Sequence, residues 1–127
     1  MRKNARFLAH EILNQFNNKT KLDSLIEKVF TKYNPDNLDR SRCRVIVCDV
    51  IRLLGRIDLI IKIVSGKSQK QISRQMQSIL RIGFYEILID DLSPNYATVD
   101  SLVNLAKSIS NRKSAGFINA VLRKLVR

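Results

Sequence analysis

The stretch ISRQMQSILRIGFYEIL, residues 72–88, decides the fold class of this 127-residue chain. Its apolar and small residues recur at the three- and four-residue spacing of one helix face, at Ile72, Met76, Ile79, Leu80, Gly83, Ile87 and Leu88. Gly83 falls inside this predicted helix, where a glycine costs about 1 kcal/mol relative to alanine. We therefore expect a second helix to approach closely at that glycine.

Similar helical stripes flank this segment on both sides. They cover residues 5–16, 22–29, 39–65, 99–106 and 117–125, with turn-forming residues between them. Gly55 leaves open whether the long third stripe is one bent helix or two. Four glycines and two prolines are too few for a β protein with many hairpins. The chain is predicted to be all-α, with about six or seven helices in a single domain, residues 1–127.

The charge of the chain is strongly positive, with 23 Lys and Arg against 11 Asp and Glu and a formal net charge of +12. This excess favours a polyanionic partner, nucleic acid before a membrane surface. The cations are concentrated in residues 1–21, 39–74 and 107–127, and the last block has no acid. We expect both chain ends to converge on one phosphate-binding surface. The weakly acidic blocks 22–38 and 75–106 are candidate docking faces for a basic protein.

The predicted RNA-binding residues lie at the two ends of the chain. Cations neutralise phosphates, and an aromatic ring beside them can stack on an unpaired base. Phe117 lies beside the last basic cluster, although it also fits the core stripe of its helix, and Tyr96 is a second candidate for stacking. The predicted set comprises Arg2, Lys3, Arg6, Arg112, Lys113, Phe117, Arg123, Lys124 and Arg127.

Two of the three acids in the basic block at residues 39–74 lie among its arginines. Asp49 and Asp58 each have an arginine close by in the sequence. We expect ion pairs within the helix, with Arg52 and Arg56 respectively.

Other chemistry has little support in the sequence. Cys43 and Cys48 are five residues apart on a predicted helix, which suits neither a zinc pair nor a disulfide, so reduced thiols in a cytosolic protein are expected. His10 is the single histidine and is expected at the surface or partly packed. No apolar run approaches the roughly 20 residues of a membrane-spanning helix. We expect no metal site, no cofactor and no membrane contact.

Three segments together resemble the NusB family. Residues 79–88 (ILRIGFYEIL) are similar to the family's ILRIGxYEL helix, and residues 117–124 (FINAVLRK) to its last helix. Between them, the next helix of the family is matched by VNLAK at residues 103–107, preceded by Pro94, Ala97 and Val99.

One branch of the family is matched more closely by several short motifs. The NAVLRK ending resembles the N-terminal NusB-like domain of RsmB/Sun-type rRNA cytosine-5 methyltransferases, as do Asp39-Arg40, Val50-Ile51-Arg52 and Ile57-Asp58. Asp49 and Ser101 depart from the usual residues, and Glu86 is the choice typical of antitermination factors.

The resemblance implies an all-α, NusB-like fold of two small subbundles that binds RNA through a basic N-terminal arm, here Arg2, Lys3 and Arg6. In the methyltransferases, the methyl-donor site and the catalytic cysteines lie in a separate downstream domain, and Cys43 and Cys48 do not match those cysteines. The preferred prediction is therefore a non-catalytic chain that serves as the RNA-docking domain of an rRNA (cytosine-5) methyltransferase, free-standing or excised.

Two other functions compete with this prediction. The alternative is a NusB-type transcription antitermination factor that binds an rRNA or leader element together with a small-subunit ribosomal protein. A DNA-binding helical regulator ranks lower, because no three-residue turn precedes an obvious recognition helix.

Overall fold

The computed structural model describes residues 3–127, and this range contains seven α-helices and no β-strand. The all-α prediction is therefore confirmed, while Arg2 of the predicted RNA-binding set lies outside the described residues. The helices are α1 (Ala5–Gln15), α2 (Leu22–Tyr33), α3 (Asn37–Arg52), α4 (Leu54–Ser65), α5 (Arg74–Tyr85), α6 (Asn95–Ile109) and α7 (Arg112–Val126). A 3₁₀ turn, Gln69–Gln71, precedes α5, and a π-helical turn, Glu86–Asp90, follows it.

Side-chain caps fix four of the helix starts, because each cap oxygen accepts a backbone N–H that has no partner inside the helix. The caps of α1, α3, α5 and α7 are Asn4, Asp36, Ser73 and Asn111. The predicted start of the third helix near Asp39 is two residues late. Asp36 accepts the amide of Asp39, so the helix begins at Asn37.

The long third stripe is two helices, which answers the question raised by Gly55. The break falls at Leu53, whose backbone (φ −106°, ψ 15°) leaves the helical region. Gly55 itself lies in the first turn of α4. At the other end of α4, Gly66 adopts a left-handed conformation (φ 70°), the usual glycine ending of a helix.

Helix α5 is the centre of the molecule, and it contacts α1, α3, α4, α6 and α7. A Cβ added to Gly83 would lie 2.7 Å from Leu122 Cδ2 and 3.1 Å from Leu102 Cδ1. Both distances are shorter than ordinary van der Waals contact, so the close approach predicted at Gly83 is confirmed, and α6 and α7 are the helices that make it.

The helices form two groups that share α5. Helix α1 packs on α2, α3 and α5, whereas α7 packs on α4, α5 and α6. This arrangement agrees with the two small subbundles implied by the family resemblance. Within residues 3–127, no helix combines the length and the apolar character required to cross a bilayer.

His10 is more buried than the sequence suggested, and the two cysteines differ in burial. His10 is only 2% exposed, so its expected surface or partly packed position is wrong; α1 has neighbours on several faces. Burial lowers the pKa of His10. Cys43 is a buried free thiol with its pKa raised by burial to about 12, whereas Cys48 is free and exposed.

Candidate nucleic-acid interface

The exposed face of α7, with the residue that follows the helix, carries five cations, and the helix contains no acid. At 3.6 residues per turn, these cations fall within about one third of the helix circumference. They are Arg112, Lys113, Arg123, Lys124 and Arg127, all exposed. The small exposed residues Gly116 and Ala120 lie in the middle of this arc, and the opposite side of the helix is buried in the core. We call these five cations the α7 basic face.

Within residues 3–127, no acid forms an ion pair with a cation of the α7 basic face. The ion pairs formed within residues 3–127 join Arg6 to Glu86, Arg52 to Asp49 and Arg81 to Asp58, and none involves α7. Arg123 Nε donates to Asn119 Oδ1 at 2.9 Å, which orients the guanidinium through a neutral partner. The positive charge of α7 is therefore available to an external anion.

A groove of about 720 Å³ lies between the first half of α6 and the second half of α7. The charged and polar side chains that line it include Arg123, Arg127, Asp100 and Asn119. Tyr96 also lines the groove and is 78% exposed. Its apolar lining comes from Val99, Val103 and Val126. The structure thus brings Tyr96 together with two predicted RNA-binding arginines of the last helix.

Arg6 has a different environment from the cations of α7. Its Nε lies 2.7 Å from Glu86 Oε2 and its Nη2 lies 2.9 Å from Glu86 Oε1, a bidentate pair. The side chains of Arg6 and Glu86 are 17% and 2% exposed. The charge of Arg6 is therefore already matched by a buried carboxylate, which makes it an anchor for the start of α1.

The start of α1 lies near the start of α6. Arg6 Nη2 donates to Ser93 Oγ at 3.4 Å, and Ser93 precedes Tyr96 by three residues. Lys3 is exposed and its Nζ lies 4.3 Å above the ring of Phe7. Arg6 and the α6–α7 groove therefore lie at the same end of α6, although α1 packs on α2, α3 and α5 and α7 packs on α4, α5 and α6.

The predicted site residues at the start of α7 lie further away. Arg112 and Lys113 are about 16 Å along the helix axis from the end that carries Arg123 and Lys124. Phe117 is half-buried and packs against the hydrophobic core, which leaves Tyr96 as the exposed aromatic beside the cations. The predicted residues therefore form a track along α7 rather than one compact cluster.

Several arginines of the basic block at residues 39–74 are held by contacts within the protein. Arg40 and Arg44 each lie 5.2 Å from the ring of Phe30, and Arg74 donates to the carbonyl oxygens of Asn14 and Phe16. These arginines hold helices together. Among the described residues, no group of three or more His, Cys, Asp or Glu could hold a metal ion.

Asp49 has its ion-pair partner in its own helix, whereas Asp58 has its partner in another helix. Asp49 pairs with Arg52 at 3.4 Å, as expected. Asp58 pairs instead with Arg81 of α5 at 2.8 Å, so its expected pairing with Arg56 is wrong. The carboxylate of Asp58 faces α5, where Gln77 also donates to it at 3.1 Å.

Comparisons with known proteins place these features in a family. The model of the NusB family matches residues 3–127. The transcription antitermination protein NusB of Ruminiclostridium cellulolyticum is 33% identical over 126 residues, which are 98% of this chain and 87% of that protein. Ribosomal RNA small subunit methyltransferase B of Pasteurella multocida is 31% identical over 97 residues, 76% of this chain but only 22% of that protein.

A solved structure supports the same fold. The crystal structure of antitermination factors NusB and NusE in complex with dsRNA superposes with a TM-score of 0.87 and 23% identity. The match covers 95% of this chain and 92% of that one. At this identity, the likeness shows a shared fold.

Proposed function

Because the chain belongs to the NusB family, we propose that it is an RNA-binding transcription antitermination factor whose α7 basic face binds RNA phosphates. The observation that carries this proposal is a helix face with five exposed cations, no acid on the helix and no ion pair to a described residue. The proposed function includes no catalytic step.

The match lengths favour antitermination over the methyltransferase domain that the sequence motifs preferred. The antitermination protein of R. cellulolyticum is matched over 87% of its length, and that of Buchnera aphidicola over 89%. The methyltransferase is matched over 22% of its length. The motif-based preference rested on short segments, such as the NAVLRK ending, that both branches resemble in part.

The binding mechanism follows from electrostatics. Each Lys or Arg that neutralises a phosphate releases condensed counterions, and this release drives association at low salt. Arg112 to Arg127 span about 22 Å along α7, so the face contacts several phosphates of one strand. Lys3 is an exposed cation just before α1, where Arg6 donates to Ser93 close to the start of α6, and it adds to the positive charge there.

A protein partner is part of the proposed function. The predicted partner is a small-subunit ribosomal protein, and support comes from the fold shared with NusB in the NusB–NusE–dsRNA complex. The π-helical turn and the loop after it expose three large apolar residues beside two acids, which suits a basic protein. These residues are Leu88, Ile89, Asp90, Asp91 and Leu92.

The salt dependence of RNA binding tests the proposed function. With five phosphates neutralised on a single strand, log K against log salt concentration has an expected slope of about −3.5, from about −0.7 per contact. Fluorescence anisotropy with a labelled single-stranded rRNA leader measures this slope. A flat response, or equal competition by duplex DNA at fixed salt, would contradict the proposal.

A pull-down distinguishes the two branches of the family. An antitermination factor is expected to retain a NusE-type ribosomal protein from a defined mixture, and Leu92→Asp should weaken that retention. Retention of an rRNA methyltransferase catalytic domain instead, with no ribosomal protein, would favour the methyltransferase function.

A further inference from the structure

We propose that the groove between α6 and α7 binds one unpaired RNA nucleotide, with the base stacked on Tyr96 and the phosphate held by Arg123 and Arg127. The inference rests on the proposed function, because it names the element of an RNA that the α7 surface selects. An unpaired base is required, since a base inside a duplex has no free face to offer a ring.

The ring of Tyr96 is the exposed stacking surface of the groove. It lies in the first turn of α6 and is 78% exposed, which is unusual for an aromatic side chain of this size. The aromatic pair found within residues 3–127 joins Phe7 to Tyr33, so the ring of Tyr96 has no aromatic partner there. Bases of any identity stack on such a ring.

The shape of the groove suits a nucleotide. Its volume of about 720 Å³ lies within the range of small-molecule sites, about 300–1,000 Å³. Val99, Val103 and Val126 give it an apolar wall against which a sugar and a base can lie. The groove therefore offers both stacking and apolar contact to a single residue of RNA.

The charges at the mouth of the groove point to an anionic ligand. Arg123 of α7 and Arg127, which directly follows the helix, both line the groove. The hydrogen bond from Arg123 Nε to Asn119 leaves both terminal nitrogens of its guanidinium without an acceptor among the described residues. A guanidinium with two free N–H₂ groups matches the geometry of a phosphate.

Asp100 gives the groove a direction. It is exposed and forms no ion pair with the described cations. A carboxylate repels phosphate and accepts hydrogen bonds from exocyclic amino groups, such as N4 of cytosine. The base edge therefore faces Asp100 while the phosphate faces the arginines. Uracil has a carbonyl oxygen where cytosine has its amino group, so the groove should prefer cytosine.

Binding of short labelled oligo(C) and oligo(U) strands, followed by fluorescence anisotropy, tests the site. Tyr96→Ala should weaken oligo(C) binding by about 5- to 150-fold, the usual range for loss of one base–aromatic stack. Tyr96→Phe keeps the ring and should retain the affinity. Ile63→Ala, which removes a 68% exposed apolar residue outside the groove, is the matched control and should change nothing.

The base preference is tested by Asp100→Asn. This variant should bind oligo(C) and oligo(U) more equally than the wild-type chain does, because the amide oxygen is a weaker acceptor and its N–H₂ group suits the uracil carbonyl. An unchanged ratio would overturn the assigned orientation of the base.

A titration with cytidine 5′-monophosphate separates failure of this site from failure of the proposed function. Shifts of the Tyr96 ring protons in NMR spectra report occupancy of the groove even if no RNA polymer binds. Polymer binding with no Tyr96 shift, and with Tyr96→Ala equal to Ile63→Ala, would overturn the nucleotide site and leave the function intact. Weakened retention of a protein partner by Tyr96→Ala, with RNA affinity unchanged, would assign the groove to that protein and also overturn the proposal.

Discussion

Arg6 and Arg123 both lie near the beginning of α6, but they have different partners. Arg6 forms a bidentate pair with Glu86, whose side chain is 2% exposed. Among the described residues, Arg123 has one hydrogen-bond partner, the neutral amide oxygen of Asn119, and it is exposed. The first arginine is part of the fold, and the second is available to a ligand.

This comparison shows that the net charge of the chain does not reveal how many of its cations are free to bind a ligand. The chain has an excess of twelve positive charges, but arginines in α1, α3 and α5 are held by carboxylates, carbonyl oxygens and aromatic rings. The α7 basic face has none of these partners among the described residues. We therefore expect the paired arginines to stabilise the fold and the α7 cations to contact the ligand.

The largest effect is expected from Arg6→Ala. Removing one partner of a buried ion pair leaves Glu86 uncompensated, which typically costs about 3–5 kcal/mol of unfolding free energy. Urea denaturation measures the loss, and Lys3→Ala, an exposed neighbour over Phe7, should cost no more than about 1 kcal/mol. If Arg6→Ala keeps its stability while RNA affinity falls, Arg6 belongs with the α7 cations and the comparison fails.

A smaller loss is expected from Arg81→Ala, which sharpens the comparison with a second paired arginine. Asp58 would keep its hydrogen bonds from Gln69 and Gln77, so the cost should be near that of hydrogen bonds to a charged group, about 1.5–3 kcal/mol. The same denaturation experiment measures it. The folded variant should keep the RNA affinity of the wild type. A loss of affinity without a loss of stability would contradict this expectation.

The double variant Arg112→Ala/Lys113→Ala should leave stability within about 0.5 kcal/mol of the wild type, because both residues are exposed. The slope of log K against log salt should become shallower by about 1.4, from about 0.7 per lost phosphate contact. An unchanged slope would confine the RNA contact to the other end of α7.

The smallest effect concerns the pH dependence of stability, and it arises from His10 in α1. Burial lowers the pKa of His10 below 6.5, so the unfolded chain binds a proton that the folded chain does not. Stability contributed by neutral His10 is therefore complete above 6.5 and is lost as the pH falls from 6.5 toward the lower pKa of the folded state. The unfolding free energy of His10→Gln should fall less than that of the wild type between neutral and mildly acidic pH. Parallel profiles would contradict this assignment.

Much of the fold could be predicted because it depends on local periodicity. The helix stripes, the glycine that ends α4 and the close approach at Gly83 follow from spacing within short segments. The ion pair between Asp49 and Arg52 also lies within one helix turn, and it was predicted correctly. The pairing of Asp58 was predicted wrongly, because its partner comes from another helix.

The site was harder to predict because its chemistry depends on contacts across the chain. Arg6 and Glu86 are 80 residues apart, and no local pattern links them. Tyr96 was a candidate for stacking and Arg123 for phosphate binding, but only the antiparallel packing of α6 and α7 places them in one groove. A glutamate inside an apolar run, such as Glu86 in IGFYEIL at residues 82–88, is the signal that could have indicated a buried cation partner.

The most direct test of the account compares two triple variants in the same RNA titration. Arg123→Ala/Lys124→Ala/Arg127→Ala removes three cations of the α7 basic face, and Lys19→Ala/Lys21→Ala/Lys28→Ala removes three exposed lysines at and before α2. The α7 variant should have a salt slope shallower by about 2, from about 0.7 per contact, and the control should keep the wild-type slope. Equal slopes for the two variants would contradict the claim that α7 is the RNA-binding surface.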